Sequence, residues 1–233
     1  MSSRLRLLVN QVHQRRNPRM TSIEIRPASG DRHADVTHAL TGGGDGRNCQ
    51  CPWWILTNAQ WKETDAQARG VLLGAQLRDD PPPGLVAYVD GEAAGWARVG
   101  PRPGQARLAR TREFSSSPEP FDDSTVWAVT CFVVRRDYRG LSLTSRLLAE
   151  AVRHASRHGA RVIEGYPIDP AARTSALSPA VLFRGALSTF LQAGFREIAR
   201  PRPDRVIVSR EAGIAERSTP RPGSHITRSS PRR

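Results

Sequence analysis

The alternation of apolar and polar residues is clearest in the middle of the chain. Residues 126–134 form an almost uninterrupted apolar run rich in β-branched and aromatic side chains, which predicts a strand covered on both faces. Residues 144–158 repeat apolar side chains at helical spacing and are followed by Gly159, so they predict an amphipathic helix. The turn between them is rich in arginine. Because the first N–H groups of a helix lack partners within it, this junction is a predicted anion site.

Weaker patterns on either side predict the rest of a mixed sheet flanked by helices. The strand at 160–167 should run parallel to the strand at 126–134, since a helix joins them in a right-handed crossover. The glycine-rich residues 41–46 predict a flexible loop, and residues 101–120 predict a long surface connection. Further strands are expected at 23–27, 85–89, 93–99, 195–199 and 205–210, with a hairpin turn at Asp90-Gly91, and helices at 31–40, 58–77 and 180–193.

Residues 133–148 resemble the acyl-CoA-binding signature of the GNAT N-acetyltransferases. In that family the signature is Arg/Gln-x-x-Gly-x-Gly/Ala, placed between the fourth strand and the third helix. Arg139 matches the first position, whereas Ser142 and Thr144 replace the two small residues. The order of predicted elements over residues 21–210 is also similar. The resemblance implies an α/β fold of the GNAT-like acyl-CoA N-acyltransferase type, with a central mixed sheet flanked by helices.

The resemblance also implies where acetyl-CoA binds. The two parallel strands should separate at their carboxyl ends, so that the pantetheine arm pairs with the main chain of the first strand. The pyrophosphate should lie on the turn and the start of the helix, where Arg135, Arg136 and Arg139 add positive charge. The alternative is that these arginines only coat a helix end. The implied cofactor-binding residues are Phe132, Val133, Val134, Arg139, Gly140, Leu141, Ser142, Leu143, Thr144 and Ser145.

Acetyl transfer to an amine needs an uncharged nucleophile, a donor for the developing oxyanion and a proton for the leaving thiolate. The backbone N–H near Phe132 or Val133 is the expected oxyanion donor. Many GNAT relatives carry a tyrosine four residues before the glycine of a late Gly-Phe pair, and this tyrosine supplies the proton. Phe190 holds that place here and has no proton to give. The expected substitutes are water, Ser188, Tyr166 or Cys131.

Glu164 is the candidate general base, because it lies in an apolar strand where burial raises the pKa of a carboxyl group. The alternative is an outward-facing strand residue. Cys131 is a candidate nucleophile for a covalent route, and the alternative is a buried small apolar residue. The candidate catalytic residues are therefore Glu164, Tyr166 and Cys131.

The segment Cys49-Gln-Cys-Pro-Trp-Trp54 is the most unusual local sequence in the chain. Trp53 and Trp54 are predicted to roof an acceptor pocket, although adjacent tryptophans are also typical of a core. Asp169 is a candidate contact for the acceptor amine, with turn capping as the alternative. Two cysteines at this spacing do not make a zinc site, which prefers four ligands, so no metal is expected.

The basic composition changes this picture little. The net charge is +13, but residues 1–20 carry five arginines and no acid, and residues 211–233 carry five arginines and two glutamates, which leaves +5 for residues 21–210. In the absence of a recognisable DNA-binding motif, we expect a solvated surface and no specific nucleic-acid partner. We therefore expect one domain over residues 21–210, between a disordered or wrongly assigned start (Met20 being the alternative) and a disordered basic tail.

Three cysteines are too few for a disulfide framework, and no apolar run is long enough to span a membrane, so a cytoplasmic protein is expected. The sequence predicts an acetyl-CoA-dependent N-acetyltransferase that acts by direct transfer on the amine of a small acceptor, as a monomer or homodimer. Two alternatives stay open. Phe190 and the substituted Ser142 and Thr144 favour a catalytically silent acyl-CoA-binding protein, and charge alone suggests a nucleic-acid-associated protein.

Overall fold

A mixed β-sheet forms the centre of the structure, a computed structural model that describes residues 21–42, 45–111, 114–172 and 181–213. The strands are β1 Ile23–Pro27, β2 Gly84–Val89, β3 Glu92–Pro101, β4 Val126–Val134, β5 Val162–Gly165, β6 Arg196–Arg202 and β7 Arg205–Glu211. They lie in the order β1-β2-β3-β4-β5-β7-β6. Only β4 and β5 are parallel among these neighbours. The predicted mixed sheet and its parallel pair are confirmed.

Helices cover both faces of this sheet. The α-helices are α1 His33–Leu40, α2 Gly46–Cys49, α3 Asn58–Glu63, α4 Ala66–Gln76, α5 Leu143–Arg157 and α6 Leu187–Gln192. Short 3₁₀ helices lie at Gly30–Arg32, Pro52–Trp54, Arg102–Gly104, Leu108–Arg110, Phe114–Ser116, Arg136–Tyr138, Pro170–Ala172 and Leu182–Arg184. Since α5 connects β4 to β5, the predicted strand–helix–strand crossover is present.

Apolar side chains form a core on each side of the sheet. On one side, α5 buries Leu147 and Leu148 completely, together with Phe190 from α6. Full burial of a leucine side chain contributes about 2 kcal/mol relative to exposure, so this stripe fixes α5 on the sheet. On the other side, Leu40 of α1 and Leu73 of α4 pack in a second cluster. The cavity described below lies where the two layers meet the carboxyl end of β4.

The helix predicted over residues 58–77 is wrong, because the chain forms two helices, α3 and α4. Thr64 is extended between them, and the Asp65 carboxylate accepts a hydrogen bond from the N–H of Ala68 at 2.8 Å. An aspartate in this position caps a new helix and competes with continuation of the old one. Thr57, and not Asn58 as predicted, caps α3.

The helix predicted over residues 180–193 is also too long. Residue 180 lies outside the described residues, and α6 occupies only Leu187–Gln192. Gly185 has a φ of 83°, a left-handed conformation that a helix cannot contain. The segment before Gly185 is therefore free to lie against β4 as a separate wall.

The connection at 101–120 is not the predicted surface loop. Arg102, Leu108 and Phe114 are buried in it, and the last two belong to a third apolar cluster with Trp54. The reason is an ion pair described below, which ties Arg102 to β5. Residues 112–113 of this connection lie outside the described residues.

Several sequence-based expectations concern parts of the chain outside the described residues. These are the start at 1–20, the tail from 214 onwards, and residues 43–44 of the predicted loop. Glu211, placed in the tail by the sequence, ends β7, and Gly46, placed in the loop, begins α2. Within the described ranges, no helix combines the length and the apolar character needed to cross a membrane.

Candidate functional site

The parallel strands β4 and β5 separate at their carboxyl ends. Their ladder ends at the pair Val129 and Gly165, where β5 stops, while β4 continues to Val134 and stays paired with β3 on its other side. The carbonyl of Thr130 accepts a hydrogen bond from the indole N–H of Trp54 at 3.1 Å. Beyond Thr130, β4 borders a cavity instead of a strand. A strand edge of this kind can bind an extended ligand through its amide groups.

The turn after β4 brings the amino end of α5 to the same cavity. Gly140 and Ser142 both have left-handed backbones, with φ values of 87° and 55°. No atom lies within 4 Å of a Cβ built on Gly140, so conformation and not space requires glycine there. The Ser142 side chain makes no capping hydrogen bond to α5. The hydroxyl of Ser142 and the first N–H groups of α5 thus form a positive end suited to an anion.

The three arginines of this turn have different roles. Arg139 lines the cavity, whereas Arg136 is exposed outside the described cavity wall. Arg135 donates hydrogen bonds to the carbonyl of His38 at 3.1 Å and to the Thr41 hydroxyl at 3.3 Å. The guanidinium of Arg135 thus holds the turn against the end of α1.

The cavity has a volume of about 830 Å³, within the size range of small-molecule sites. Among charged side chains, its wall carries three arginines, Arg139, Arg184 and Arg205, and one acid, Asp45. Leu141, a predicted cofactor contact, instead packs against the core beside α5, and Ser145 is exposed outside the wall. The other predicted cofactor-binding residues line the cavity, namely Phe132, Val133, Val134, Arg139, Gly140, Ser142, Leu143 and Thr144.

An aromatic wall borders another part of the cavity. Trp53 and Trp54, predicted to roof an acceptor pocket, both line it. The ring of Trp53 meets Trp61 edge to face at 4.9 Å, and the guanidinium of Arg107 lies 3.8 Å from the centroid of the Trp53 ring. Arg107 is buried and donates to the carbonyl of Leu56 at 2.9 Å, and this hydrogen bond fixes the guanidinium against the Trp53 ring.

Sequence reasoning missed a large part of this wall. Val181, Leu182, Phe183 and Arg184 line the cavity opposite β4, in a segment that was predicted to be helical. The signal that could have located this wall is Gly185, since a glycine inside a helical pattern often marks the end of a helix. The other missed residues are Leu40, Asp45, Gly46, Asn48, Cys49, Cys51, Trp61, Tyr138 and Arg205.

Glu164 and Tyr166, two of the predicted catalytic residues, belong to a closed polar network. The Glu164 carboxylate lies 3.0 Å from the guanidinium of Arg102, and both side chains are completely buried. It also accepts hydrogen bonds from the Ser117 hydroxyl at 2.6 Å and the Tyr166 hydroxyl at 2.7 Å. Burial and the charge of Glu164 raise the pKa of Tyr166 well above its usual range. The described cavity wall includes none of these four residues.

Phe190, at the position where the resemblance led us to look for a tyrosine, has apolar surroundings. Its ring packs against Phe132 and Phe195, with centroids 6.1 Å and 5.2 Å away. A Cβ on Gly165 would lie 2.2 Å from the Phe190 ring, so β5 and this ring are in close contact. Phe190 therefore acts as a core residue beneath the cavity.

Asp169 lies outside the described cavity wall. Its carboxylate pairs with Arg200 at 2.9 Å and accepts a hydrogen bond from the N–H of Ala171 at 3.1 Å. These contacts match turn capping, the alternative that the sequence left open, and they leave the acceptor contact without support.

The three cysteines form no disulfide and share the cavity wall. Cys131, the third predicted catalytic residue, lies at the carboxyl end of β4, next to Phe132. Cys49 and Cys51 come from the segment before Trp53, and the sulfur of Cys51 accepts a hydrogen bond from the indole N–H of Trp96 at 3.1 Å. In the described part of the chain, no three His, Cys, Asp or Glu side chains converge as metal ligands.

A family model described as the acetyltransferase (GNAT) family matches residues 51–173, just over half of the chain. The match includes β4, the arginine-containing turn, α5 and β5. No curated protein matches the chain by sequence.

Solved structures of acetyltransferases are similar to the chain over most of its length. PaiA N-acetyltransferase from Thermoplasma acidophilum, in complex with coenzyme A, is 14% identical with a TM-score of 0.47, over 82% of this chain and 99% of that one. Ribosomal-protein-alanine N-acetyltransferase from Brucella melitensis is 21% identical with a TM-score of 0.49, over 81% and 99%. YncA from Salmonella typhimurium, with its cofactor acetyl-CoA, is 18% identical with a TM-score of 0.48, over 85% and 97%.

Proposed function

Because the chain belongs to the GNAT family of acetyltransferases, we propose that it transfers an acetyl group from acetyl-CoA directly to the amine of a small acceptor. The observation that carries this proposal is the shared cavity. The open edge of β4 and the amino end of α5 both face it, and Trp53 and Trp54 form another part of its wall. One space thus offers amide partners, an anion site and an apolar pocket.

The described residues fit acetyl-CoA in shape and charge. The main-chain groups of Phe132 and Val134 point away from β3, whereas those of Val133 pair with it, so Phe132 and Val134 offer hydrogen bonds to an arm that itself contains amides. The first N–H groups of α5 and the Arg139 guanidinium offer donors to a pyrophosphate. When bound, acetyl-CoA supplies the activated acetyl thioester, and the chain supplies position and charge.

We assign the N–H of Phe132 to the carbonyl oxygen of the acetyl group, since it points to the open edge of β4, whereas the N–H of Val133 points to β3. A backbone N–H at this point stabilises negative charge on the carbonyl oxygen, because a fixed donor needs no reorganisation during the reaction. Trp53 and Trp54 exclude water from the acceptor side and hold an apolar body near the thioester.

We assign proton transfer to residues that line the cavity, because only these can contact the bound substrates. Of the three catalytic residues expected from the sequence, Cys131 lines the described cavity, while Glu164 and Tyr166 belong to the buried network with Arg102. We assign Glu164 and Tyr166 to hold β5 and the connection at 101–120 together. The free thiols fit a reducing compartment, and we place the protein in the cytoplasm.

Calorimetric titration with acetyl-CoA tests the cofactor. Arg139→Ala should weaken binding about tenfold, because a charge-assisted hydrogen bond contributes about 1.5–3 kcal/mol. Arg136→Ala is the matched control: it removes a neighbouring exposed arginine outside the cavity wall and should leave the Kd within about twofold. Absence of any binding to the wild-type protein would reject the proposal.

Release of free thiol in the presence of a panel of small amines tests the transfer itself. We expect acetyl-CoA-dependent thiol release with at least one amine. Phe190 favours a second candidate, a catalytically silent acyl-CoA binder, since its ring is fully buried and carries no proton. Tight binding without turnover across the panel would select that candidate.

A further inference from the structure

Arg98 is a buried cation with uncharged hydrogen-bond partners. Its side chain comes from β3 and is 3% exposed. It donates to the Gln76 amide oxygen at 2.8 Å and to the Cys51 carbonyl at 3.2 Å. Among the described residues, no carboxylate lies within ion-pair distance of Arg98. Because an unpaired buried charge is costly, an anion of another kind is expected nearby.

The sulfur of Cys51 meets this requirement. It accepts a hydrogen bond from the Trp96 indole N–H at 3.1 Å, and Cys131 belongs to the same buried cluster. A neutral thiol is a weak acceptor, whereas a thiolate readily accepts an N–H donor beside a guanidinium. Burial raises the pKa of the Cys51 thiol, but the neighbouring Cys131 thiol and the Arg98 charge outweigh it, and the pKa is lowered.

The groups that face Cys51 come from three other elements. Arg98 and Trp96 belong to β3, Cys131 to β4 and Cys49 to α2. The neighbouring Cys51, together with burial, raises the pKa of Cys131 well above its usual range. Burial and the neighbouring Cys51 raise the pKa of Cys49 to about 11. Of the three cysteines, Cys51 alone has a lowered pKa.

We propose that Cys51 and Cys131 form the acid–base pair of the acetyl transfer, with Cys51 as the base for the acceptor amine and Cys131 as the acid for the leaving sulfur. The proposal rests on the proposed function and specifies its proton transfers. Both residues line the cavity, and Cys131 directly precedes Phe132, whose main chain borders the thioester site. The pair also accounts for how a phenylalanine at position 190 is tolerated.

The proton transfers balance without a further reactant. As the bond from the acceptor nitrogen to the acetyl carbon forms and the carbon–sulfur bond breaks, the nitrogen loses a proton to the Cys51 thiolate. Cys131 gives its proton to the departing thiolate of CoA. The proton on Cys51 then passes to the neighbouring Cys131 sulfur, directly or through water in the cavity that both line, and both return to their starting states.

Arg98 is a positioning residue in this scheme, because it stabilises the Cys51 thiolate without lining the described cavity wall. Its removal should shift the pH dependence and not merely reduce the rate. Arg98→Gln should move the acidic limb of the kcat/KM profile to higher pH, while Arg98→Lys, which keeps the charge, should restore most of it. If Arg98 had a purely structural role, kcat/KM would fall to a similar extent in both variants, and the acidic limb of the profile would stay at its wild-type pH.

The first experiment measures the thiolate without any turnover. The ultraviolet absorbance of thiolate is titrated with pH in the wild-type protein, Cys51→Ser and Cys49→Ser. The difference between wild type and Cys51→Ser should titrate well below about 8.5, the pKa of an ordinary thiol. The difference for the matched Cys49→Ser should appear only at alkaline pH. A Cys51 difference that titrates at or above the ordinary value would overturn the proposal.

The second experiment measures kcat/KM from about pH 5 to about pH 9 with the amine found by the thiol-release assay. Cys51→Ser should lose about 100-fold or more and lack the acidic limb of the wild type, while Cys49→Ser should keep that limb. Acetyl-CoA should bind Cys51→Ser within about threefold of wild type, which separates this loss from a failure of the cofactor site. Wild-type rates in Cys51→Ser would refute the pair, even with the proposed function intact.

Two checks keep the result decisive. If Cys51→Ser does not fold, as judged by circular dichroism, the pH dependence of iodoacetamide labelling at Cys51 in the wild type replaces the absorbance titration. It should show the same low midpoint and protection by acetyl-CoA. Incubation with acetyl-CoA and no amine should leave Cys51 unmodified by mass spectrometry. Accumulation of an acetyl group on Cys51 would overturn its role as a base in favour of a covalent route.

Discussion

Replacement of Glu164 should affect stability much more than chemistry. Its carboxylate lies 3.0 Å from the Arg102 guanidinium in a fully buried pair, and Ser117 and Tyr166 donate to it. Glu164→Ala leaves the guanidinium buried without a counter-ion. Removal of one partner from such a pair costs about 3–5 kcal/mol. In a domain of this size, each kcal/mol lowers Tm by about 2–4 °C, so a fall of about 6–20 °C is expected.

A double variant without charges separates the lost charge partner from lost packing. Arg102→Met and Glu164→Leu together replace the pair with apolar side chains of similar volume, a change that is often neutral or stabilising. The double variant should regain at least about half of the stability that Glu164→Ala loses. The measurements are urea denaturation for all variants, together with kcat/KM well below every Tm.

The result that would refute this reasoning is specific. If Glu164→Ala stayed within about 1 kcal/mol of wild type while kcat/KM fell about 100-fold or more, Glu164 would be the general base that the sequence suggested. A double variant no more stable than Glu164→Ala would show that Arg102 is not the cause of the loss.

Two further changes test the packing and titration of the core. Gly165→Ala should lower stability by about 1–3 kcal/mol, since its Cβ would lie 2.2 Å from the Phe190 ring, and a second change, Phe190→Leu, should recover part of the loss in thermal denaturation. Burial, with like charges on the same helix, lowers the pKa of His154 to about 4. The unfolded chain binds that proton near pH 6.5, so stability should fall by up to about 3 kcal/mol as pH drops from about 6.5 to about 4. His154→Phe should lack this part of the fall in urea denaturation, and equal pH slopes in both proteins would contradict the assignment.

The elements nearest the site were predictable because their signals are local. The apolar run of β4, the stripe of α5 and the Asp90-Gly91 turn each lie within a short segment, and the structure places all three as expected. The acyl-CoA-binding signature around Arg139 is also a local signal, because its residues are neighbours in the sequence. Where local signals compete, prediction failed. Asp65 begins a new helix, and the left-handed Gly185 ends another, although apolar spacing continues past both.

The polar contacts of the site were not predictable from the sequence, because they join distant segments. The residues around Glu164 suggest a base in an apolar strand, and none of them indicates that Arg102 forms an ion pair with it. Cys51 and Cys131 come from a loop and a strand, and Arg98 from another strand. Burial of a charge depends on what folds over it, so the partners of these residues become visible only with the tertiary structure.

Because β5 ends early, strand pairing forms the opening beside β4, whereas side chains form the rest of the cavity wall. Past Gly165 the chain pairs with residues 185–187 and not with β4, because the N–H of Ile168 donates to the carbonyl of Gly185 at 3.0 Å and its carbonyl accepts from the N–H of Leu187 at 2.8 Å. The main-chain pairing of these residues thus determines the opening that we propose admits an acyl carrier. The tryptophans and the 181–184 segment, by contrast, are ordinary side-chain surfaces. Substitutions there can therefore reshape the acceptor pocket that we propose, while the main-chain opening beside β4 stays fixed.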